Sequence, residues 1–186
     1  MSINISSRKS LLNLPNELPD ILAPHLSVIF CGINPGLLAA STGHHFAGRN
    51  NRFWRVVHLA GFTPTQLSPE DDRSFLRYGC GLTTAVSRPT ARADQLTPLE
   101  IKAAASAFEI KIQQHAPLYI AFLGKMALSA ITGKRDIEWG LQTEPFGGAR
   151  AWVLPNPSGL NRSFSLDALV SAYRELRLAV SSLDEN

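Results

Sequence analysis

Two Asn-Pro turns contain the side chains in this sequence that are best suited to chemistry. The first turn reads G-I-N-P-G at residues 32–36, and the second reads N-P-S-G-L-N-R at residues 156–162. Neither Asn34 nor Asn156 titrates near neutral pH, so the pair would not form a conventional acid–base site. Two facing carboxamides can instead hold a water molecule and donate a hydrogen bond to a departing anion. The pattern therefore predicts catalysis by a positioned water molecule and a polar, uncharged hydrogen-bond donor.

Each turn directly follows a short apolar run that predicts a buried strand. The runs are V-I-F-C at residues 28–31 and A-W-V-L at residues 151–154. In an open α/β sheet, ligands bind in the crevice outside the carboxyl ends of the strands. We therefore expect Asn34 and Asn156, although far apart in sequence, to face one pocket.

The rest of the chain alternates predicted strands with predicted helices. Further strands are predicted at residues 80–84 and 118–123, and helices at residues 52–60, 68–79, 97–115, 124–131 and from 165 onward. Capping residues mark three of the helix starts, at Ser68, at Thr97 with its T-P-L-E box, and at Ser165. Strands separated by helices favour a parallel sheet covered on both faces. The predicted fold is α/β, a three-layer α/β/α sandwich with a short central parallel sheet.

Length and composition favour one domain. The 186 residues are 45% hydrophobic, which is enough for one sizeable core. Residues 1–19 are polar and contain proline, so we expect a loosely ordered tail there and a single domain over residues 20–186. The sequence shows neither a signal-peptide-like start nor an apolar run long enough to cross a membrane. We therefore expect a cytoplasmic protein with no membrane partner.

Charge and metal-binding residues narrow the function only slightly. A formal net charge of +3 permits a nucleic-acid partner without demonstrating one. Cys31 and Cys80 lie in apolar strand contexts, which favours two buried thiols over a disulfide. The His44-His45 pair has no partner at ligand spacing and is typical of a polar loop. These patterns therefore predict no metal site.

Phe46 stands in a polar, glycine-flanked segment that predicts a loop. An aromatic ring in such a loop either anchors the loop to the core or stacks on a planar ligand. The following Phe53 and Trp54 have helical spacing and are predicted to be core residues. The basic run R-N-N-R at residues 49–52, and Arg162 beside the second turn, are either solvated or in contact with phosphates.

Taken together, these segments resemble the mismatch-specific uracil/thymine DNA glycosylases. That family comprises the bacterial mismatch uracil-DNA glycosylases and the animal thymine-DNA glycosylase core. The matching segments are the two turns with G-H-H-F at 43–46, N-R-F-W at 51–54, C-G-L-T at 80–83, R-P-T at 88–90, L-G-K at 123–125 and W-V-L-P at 152–155. The resemblance runs from about Asp20 to Val180 and implies a uracil-DNA glycosylase-like fold.

The resemblance implies a monofunctional DNA glycosylase of base excision repair. Such an enzyme flips mispaired uracil out of double-stranded DNA and hydrolyses its N-glycosidic bond, with thymine and ethenocytosine as further candidate substrates. A lyase step would require an amine, and neither turn contains a lysine. The implied partner is double-stranded DNA with G·U or related mismatches, and the product is an abasic site. The protein is expected to act as a monomer without a metal or organic cofactor, and to be associated with the nucleoid when it is bound to DNA.

The resemblance also assigns roles to individual residues. Asn34 would hold the attacking water, and Asn156 would stabilise the anion that develops on the base. The implied substrate-binding residues are Ile33, Gly36, Phe46 and Asn51, with Phe46 stacking on the flipped pyrimidine. The implied DNA-binding residues are Ser158, Gly159, Leu160, Asn161 and Arg162, with Leu160 in the wedge that enters the vacated stack.

Two departures from the family pattern leave the substrate range open. Thr84 stands where the bacterial enzymes often have a lysine, and L-A-A at residues 38–40 is closer to the animal enzymes. Two other functions also stay open at this stage. One is a catalytically weak sensor of mismatches or abasic sites, and the other is an α/β enzyme that acts on free nucleosides.

Overall fold

In the computed structural model, which describes residues 18–184, short strands alternate with helices along the chain. The strands are β1 (Val28–Gly32), β2 (Cys80–Thr84), β3 (Tyr119–Leu123), β4 (Gly140–Leu141) and β5 (Arg150–Leu154). The α-helices are α1 (Leu37–Thr42), α2 (Phe53–Leu59), α3 (Pro98–His115), α4 (Lys125–Thr132) and α5 (Leu166–Asp184). A 3₁₀ helix spans Pro69–Tyr78. Most of the tail predicted at residues 1–19, namely residues 1–17, lies outside the described residues.

The strands form one sheet in the order β2-β1-β3-β5-β4. Neighbouring strands are parallel except for β4, which pairs antiparallel with β5 at the edge. Helices α2 and α5 and the 3₁₀ helix cover one face, and α3 and α4 cover the other. This arrangement confirms the predicted three-layer α/β/α sandwich. Within residues 18–184, no helix has the length and apolar character needed to span a membrane.

Aromatic packing on one face of the sheet fixes the end of β5. Phe30 of β1 is fully buried, and its ring stacks on Tyr173 of α5 with the centroids 6.2 Å apart. The Tyr173 hydroxyl donates a hydrogen bond to the main-chain carbonyl of Pro155 at 3.2 Å. Because Pro155 directly precedes Asn156, the core of the domain holds the second Asn-Pro turn in place.

The two cysteines lie on opposite sides of the sheet. Cys31 packs with α3 and α4, whereas Cys80 belongs to the core beneath α2 and α5. Both are buried free thiols, as the sequence predicts. Burial raises the pKa of Cys80 to about 12 and raises the pKa of Cys31 as well. Neither thiol is therefore ionised at neutral pH.

The structure confirms two predicted helix caps. The Thr97 hydroxyl accepts the Glu100 N–H at 3.2 Å, and the Glu100 carboxylate accepts the Thr97 N–H at 2.8 Å. The Ser165 hydroxyl accepts the Ala168 N–H at 3.1 Å. These local bonds explain why the sequence located the starts of α3 and α5 correctly.

The structure corrects the expectation of an α-helix after Ser68. The Ser68 hydroxyl donates to the Asp71 carboxylate at 3.0 Å and so does not cap a backbone N–H. The Asp71 N–H bonds to the Ser68 carbonyl at 3.0 Å, an i to i+3 bond that winds the segment as a 3₁₀ helix. The structure also contains helix α1, which was not predicted from the sequence and which Gly43 ends in a left-handed conformation with φ 75°.

Candidate active site

The carboxyl ends of β1, β3 and β5 open into a cavity of about 370 Å³. Its walls are residues 32–36, Phe46, Asn51, residues 90–93, Leu123, Asn156, Ser158, Leu160 and Asn161. The two asparagines therefore meet in one cleft, as predicted from their positions after two strands. A larger cavity of about 670 Å³ lies beside α3 and contains neither asparagine. The smaller cavity is the candidate active site because it holds the predicted chemical groups.

Hydrogen bonds fix the orientation of the Asn34 carboxamide. Its Nδ2 donates to the main-chain carbonyl of Arg88 at 2.7 Å and to the Thr90 hydroxyl oxygen at 2.8 Å. Both amide hydrogens are thus used, and Oδ1 accepts no hydrogen bond from residues 18–184. An oxygen acceptor at the cavity wall can hold and orient a water molecule.

The loop that orients Asn34 is braced against the start of α3. Thr90 is 5% exposed, and its hydroxyl donates to the Arg92 carbonyl at 2.8 Å. The Arg88 guanidinium donates to both oxygens of the Glu100 carboxylate, at 2.7 and 3.1 Å. Glu100 also closes the capping box of α3. A continuous set of contacts therefore leads from the helix cap to Asn34.

Asn156 is oriented in the opposite sense. Its Oδ1 accepts the Ser158 N–H at 2.9 Å, which closes a tight Asx turn. Its Nδ2 has no acceptor among residues 18–184 and is left as a donor at the cavity. The main-chain carbonyl of Asn156 accepts from the Asn161 side chain at 2.9 Å. The cavity therefore combines a free acceptor on Asn34 with a free donor on Asn156.

Phe46 is both anchored and available to a ligand. One face of its ring stacks on Phe53, with the centroids 3.9 Å apart and the planes 19° apart. The half-buried ring also lines the cavity. The two alternatives that the sequence left open, loop anchoring and a stacking platform, are therefore compatible in this structure.

The backbone at Phe46 is strained, and its neighbours hold it. Phe46 has a φ of 57, a left-handed conformation that is costly for a bulky residue. The N–H of the preceding His45 donates to the Asp72 carboxylate at 2.9 Å, and the His45 carbonyl accepts from the Trp54 indole at 3.1 Å. Burial lowers the pKa of His45, so the neutral ring donates Nε2–H to the Pro19 carbonyl at 2.9 Å.

The segment after Asn156, residues 157–164, forms a tight loop at the rim of the cavity, here called the wedge loop. Leu160 at its tip is 75% exposed, so its side chain does not pack beneath the loop. A Cβ on Gly159 would lie 2.6 Å from the Cβ and the carbonyl oxygen of Asn50. Close packing against Asn50 therefore requires glycine at position 159.

Comparison with known proteins decides the family. The model of the uracil DNA glycosylase superfamily matches residues 19–177. The chain belongs to this superfamily. The fold is also similar to the solution structure of a Methanosarcina acetivorans protein provisionally described as a uracil DNA glycosylase. The two share 20% sequence identity with a TM-score of 0.58, over 88% of this chain and 98% of that chain.

Membership in the uracil DNA glycosylase superfamily indicates a hydrolase that acts on DNA. The structure of this glycosylase brings most of the predicted site residues to one cavity. Ile33, Gly36 and Asn51 line it, together with three residues of the wedge loop, Ser158, Leu160 and Asn161. Gly159 and Arg162 lie outside the lining, and both are exposed.

The glycosylase also contains site residues that sequence reasoning missed. Thr90 is predicted only as part of the R-P-T segment, and Asp72 is not predicted at all. Their hydrogen-bond partners lie 56 and 27 residues away, so local patterns do not reveal what they hold. Asn161, predicted to bind DNA, uses its carboxamide within the wedge loop, on Asn156 and on the Ser163 N–H at 3.3 Å. Thr84 lines the larger cavity and not the candidate active site.

We expect Asp72→Ala to loosen the loop that carries Phe46. Asp72 is 3% exposed, and its loss leaves the His45 N–H buried without a partner, which costs about 1–3 kcal/mol. Urea unfolding measures this loss, and limited proteolysis by chymotrypsin reports access to Phe46. The matched control is Asp136→Ala, at an exposed aspartate with no ion pair among the described residues, which should change stability by less than about 0.5 kcal/mol. Equal effects of the two variants would contradict the assignment.

Glu100 should make stability depend on pH. The Arg88 hydrogen bond lowers the pKa of Glu100 from 4.5 to about 2. A pKa that is depressed in the folded state stabilises the protein above the unfolded pKa, and this contribution disappears as the pH falls through the folded pKa. The difference in the free energy of unfolding between wild type and Glu100→Gln should therefore be full at neutral pH and shrink below about pH 4.5.

Urea titrations at a series of pH values measure this difference. Glu109→Gln is the matched control, because Glu109 is an exposed glutamate of the same helix with no ion pair among the described residues. If both variants differ from wild type by an amount that does not change with pH, the Arg88–Glu100 contact does not stabilise the fold in the way described.

Proposed function

We propose that the protein is a monofunctional, mismatch-specific DNA glycosylase that removes mispaired uracil from double-stranded DNA. One observation carries the proposal. A single cavity of about 370 Å³ presents an oriented acceptor on Asn34, an oriented donor on Asn156 and the aromatic ring of Phe46. This set suits a flat pyrimidine whose leaving group becomes an anion while water attacks the sugar.

The proposed reaction begins with base flipping. A base inside a duplex is out of reach, so the enzyme rotates the nucleotide into the cavity, at lowest cost when the base is mispaired. The C1′–N1 bond then breaks, its electron pair leaves with uracil, and positive charge develops on the sugar. Asn156 Nδ2 donates a hydrogen bond to the departing anion. The water on Asn34 Oδ1 adds to C1′ and releases its proton to solvent.

Recognition of the pyrimidine is assigned to the walls of the cavity. Phe46 stacks on the flipped base through the ring face that Phe53 leaves uncovered. Main-chain groups at Ile33 and Phe46 meet the edge of the base, and Gly36 leaves room for its approach. The Asn51 Oδ1 accepts the Phe53 N–H at 2.9 Å, so its Nδ2 is the group that can donate to a pyrimidine carbonyl.

Leu160 supports a duplex substrate over a free nucleoside. A leucine that is 75% exposed on a tightly hydrogen-bonded loop is positioned to enter the stack that the flipped base vacates. Ser158, Gly159 and Asn161 are proposed to shape the loop around it, and Arg162 is proposed to support the wedge or to contact the opposite strand. A free nucleoside would have no use for this wedge.

The nucleophile in the proposed reaction is water. No lysine is among the lining residues of the cavity within the described part of the chain, so no amine is placed to form a Schiff base. The product is an abasic site. Thymine and ethenocytosine remain candidate substrates beside uracil, and the protein is proposed to act as a monomer.

The central experiment is incubation with duplexes that contain G·U, G·T, A·U or G·ethenocytosine pairs, scored for alkali-sensitive abasic sites. Release of uracil from the G·U duplex supports the proposal. Tight binding to that duplex without release would instead identify a sensor of mismatches. Activity on free nucleosides that does not depend on duplex DNA would favour a nucleoside enzyme.

Asn34→Ala should slow the chemical step. Loss of one preorganised polar group lowers such rates by about 10²-fold or more, so single-turnover release of uracil from a G·U duplex should fall by that factor. Binding to the duplex should change little. Gln113→Ala, an exposed amide on α3, is the control and should match wild type. A rate for Asn34→Ala close to that of wild type would remove Asn34 from the mechanism.

Leu160→Ala should weaken binding to mismatched and abasic duplexes and slow excision from them. Excision from single-stranded DNA should suffer much less, because no stack has to be filled there. Thermal stability should hold, since truncation of a buried leucine costs about 2–5 kcal/mol and Leu160 is 75% exposed. Leu99→Ala, at 76% exposure on α3, is the matched control. A lower melting temperature, together with equal losses of excision from double-stranded and single-stranded DNA, would show that Leu160 is a structural residue.

A further inference from the structure

Arg52 makes an unusual set of contacts with the wedge loop. Its Nε donates to the Pro157 carbonyl at 3.3 Å, and its Nη1 donates to the Phe164 carbonyl at 2.8 Å. Its Nη2 donates to the Ser158 carbonyl at 3.1 Å and to the Asn161 carbonyl at 2.8 Å. One guanidinium therefore binds carbonyls on both sides of Leu160.

The main chain of Arg52 adds to this attachment. Its N–H donates to the Pro157 carbonyl at 3.1 Å. The half-buried guanidinium forms no ion pair within residues 18–184, so its charge is compensated there by carbonyl oxygens of the loop. The planar fork of arginine reaches several acceptors at fixed angles, which the point charge of a lysine cannot do.

The position of Arg52 also links the wedge loop to the candidate active-site cavity, here called the base pocket. The preceding residue, Asn51, lines the cavity. The following residue, Phe53, begins α2 and stacks on Phe46 at 3.9 Å. A displacement of the wedge loop relative to the pocket would therefore break the Arg52 contacts.

We propose that Arg52 is a positioning residue that holds Leu160 in register with the base pocket. The inference rests on the proposed function, because register matters only if the wedge fills the stack while the base occupies the pocket. In this role Arg52 acts through Leu160 and touches neither the base nor the phosphates.

Hydrogen–deuterium exchange tests the structural half of the proposal without any activity. Exchange of the amides of residues 158–164 should rise in Arg52→Lys and more in Arg52→Met, while the amides of the sheet stay protected. Arg55→Lys is the matched control, since Arg55 is exposed one turn further along α2. Unchanged exchange of the loop in Arg52→Lys and Arg52→Met would overturn the proposal. This result stands even if the wild type releases no uracil.

A double-mutant cycle tests the functional half. Arg52→Lys should slow single-turnover excision from a G·U duplex by about 10²-fold, the scale of a small misplacement in a preorganised site. If Arg52 acts through Leu160, then Leu160→Ala should add little further loss in the Arg52→Lys background. Independent, additive losses would show that Arg52 acts by another route and would overturn the proposal.

The salt dependence of duplex binding separates positioning from direct contact with DNA. A lost phosphate contact reduces the slope of log K against log salt by about one. The slope should therefore be the same for Arg52→Lys, Arg52→Met and wild type, because the guanidinium is already bound to the loop. A reduced slope in Arg52→Met with unchanged loop exchange would assign Arg52 to phosphate binding instead.

Discussion

A carboxamide can serve as a pure acceptor or a pure donor only if its other half is occupied, and the site depends on this constraint. The oxygen and nitrogen ends of asparagine have nearly the same shape, so sterics alone do not choose between them. At Asn34 the Arg88 carbonyl and Thr90 occupy the nitrogen end. At Asn156 the Ser158 N–H occupies the oxygen end. The polarity of the cavity is thus set by main-chain groups of two loops together with the Thr90 hydroxyl.

The sheet and its core hold these two loops in fixed positions. Because β1, β3 and β5 are parallel, both turns lie at the same edge of the sheet, and the cavity opens between them. The turn at Asn156 is tied to the packed aromatic core through Tyr173, and the loop that orients Asn34 is tied to the cap of α3 through Glu100. A pair of neutral carboxamides needs this support, because neither side chain carries a charge with which to orient water or a leaving group.

Much of this arrangement follows from local sequence patterns. Apolar runs located the strands β1, β2, β3 and β5, and hydrogen bonds within three residues of Thr97 and Ser165 located the starts of α3 and α5. The convergence of Asn34 and Asn156 followed from strand direction alone. Phe46 could not be resolved from sequence, because its anchoring partner Phe53 also looked like an ordinary core residue.

The remaining features depend on contacts that no local pattern encodes. Asp72 fits the pattern of an acidic residue in the first turn of a helix. Its carboxylate nevertheless accepts a hydrogen bond from the backbone N–H of His45, 27 residues away. The carbonyls that bind the Arg52 side chain lie 105 to 112 residues further along the chain. The 3₁₀ winding after Ser68 arises because two side chains that favour a helix start bond to each other instead.

The burial of both native thiols has a practical consequence for fluorescence measurements of DNA binding. The chain contains two cysteines, and each lies in a different core with a raised pKa, so neither should react readily with thiol reagents. A cysteine introduced on the exposed surface, as in Arg162→Cys, would then be the reactive thiol of the folded protein. A fluorophore attached there could report the approach of a duplex in real time, with both native cysteines left in place.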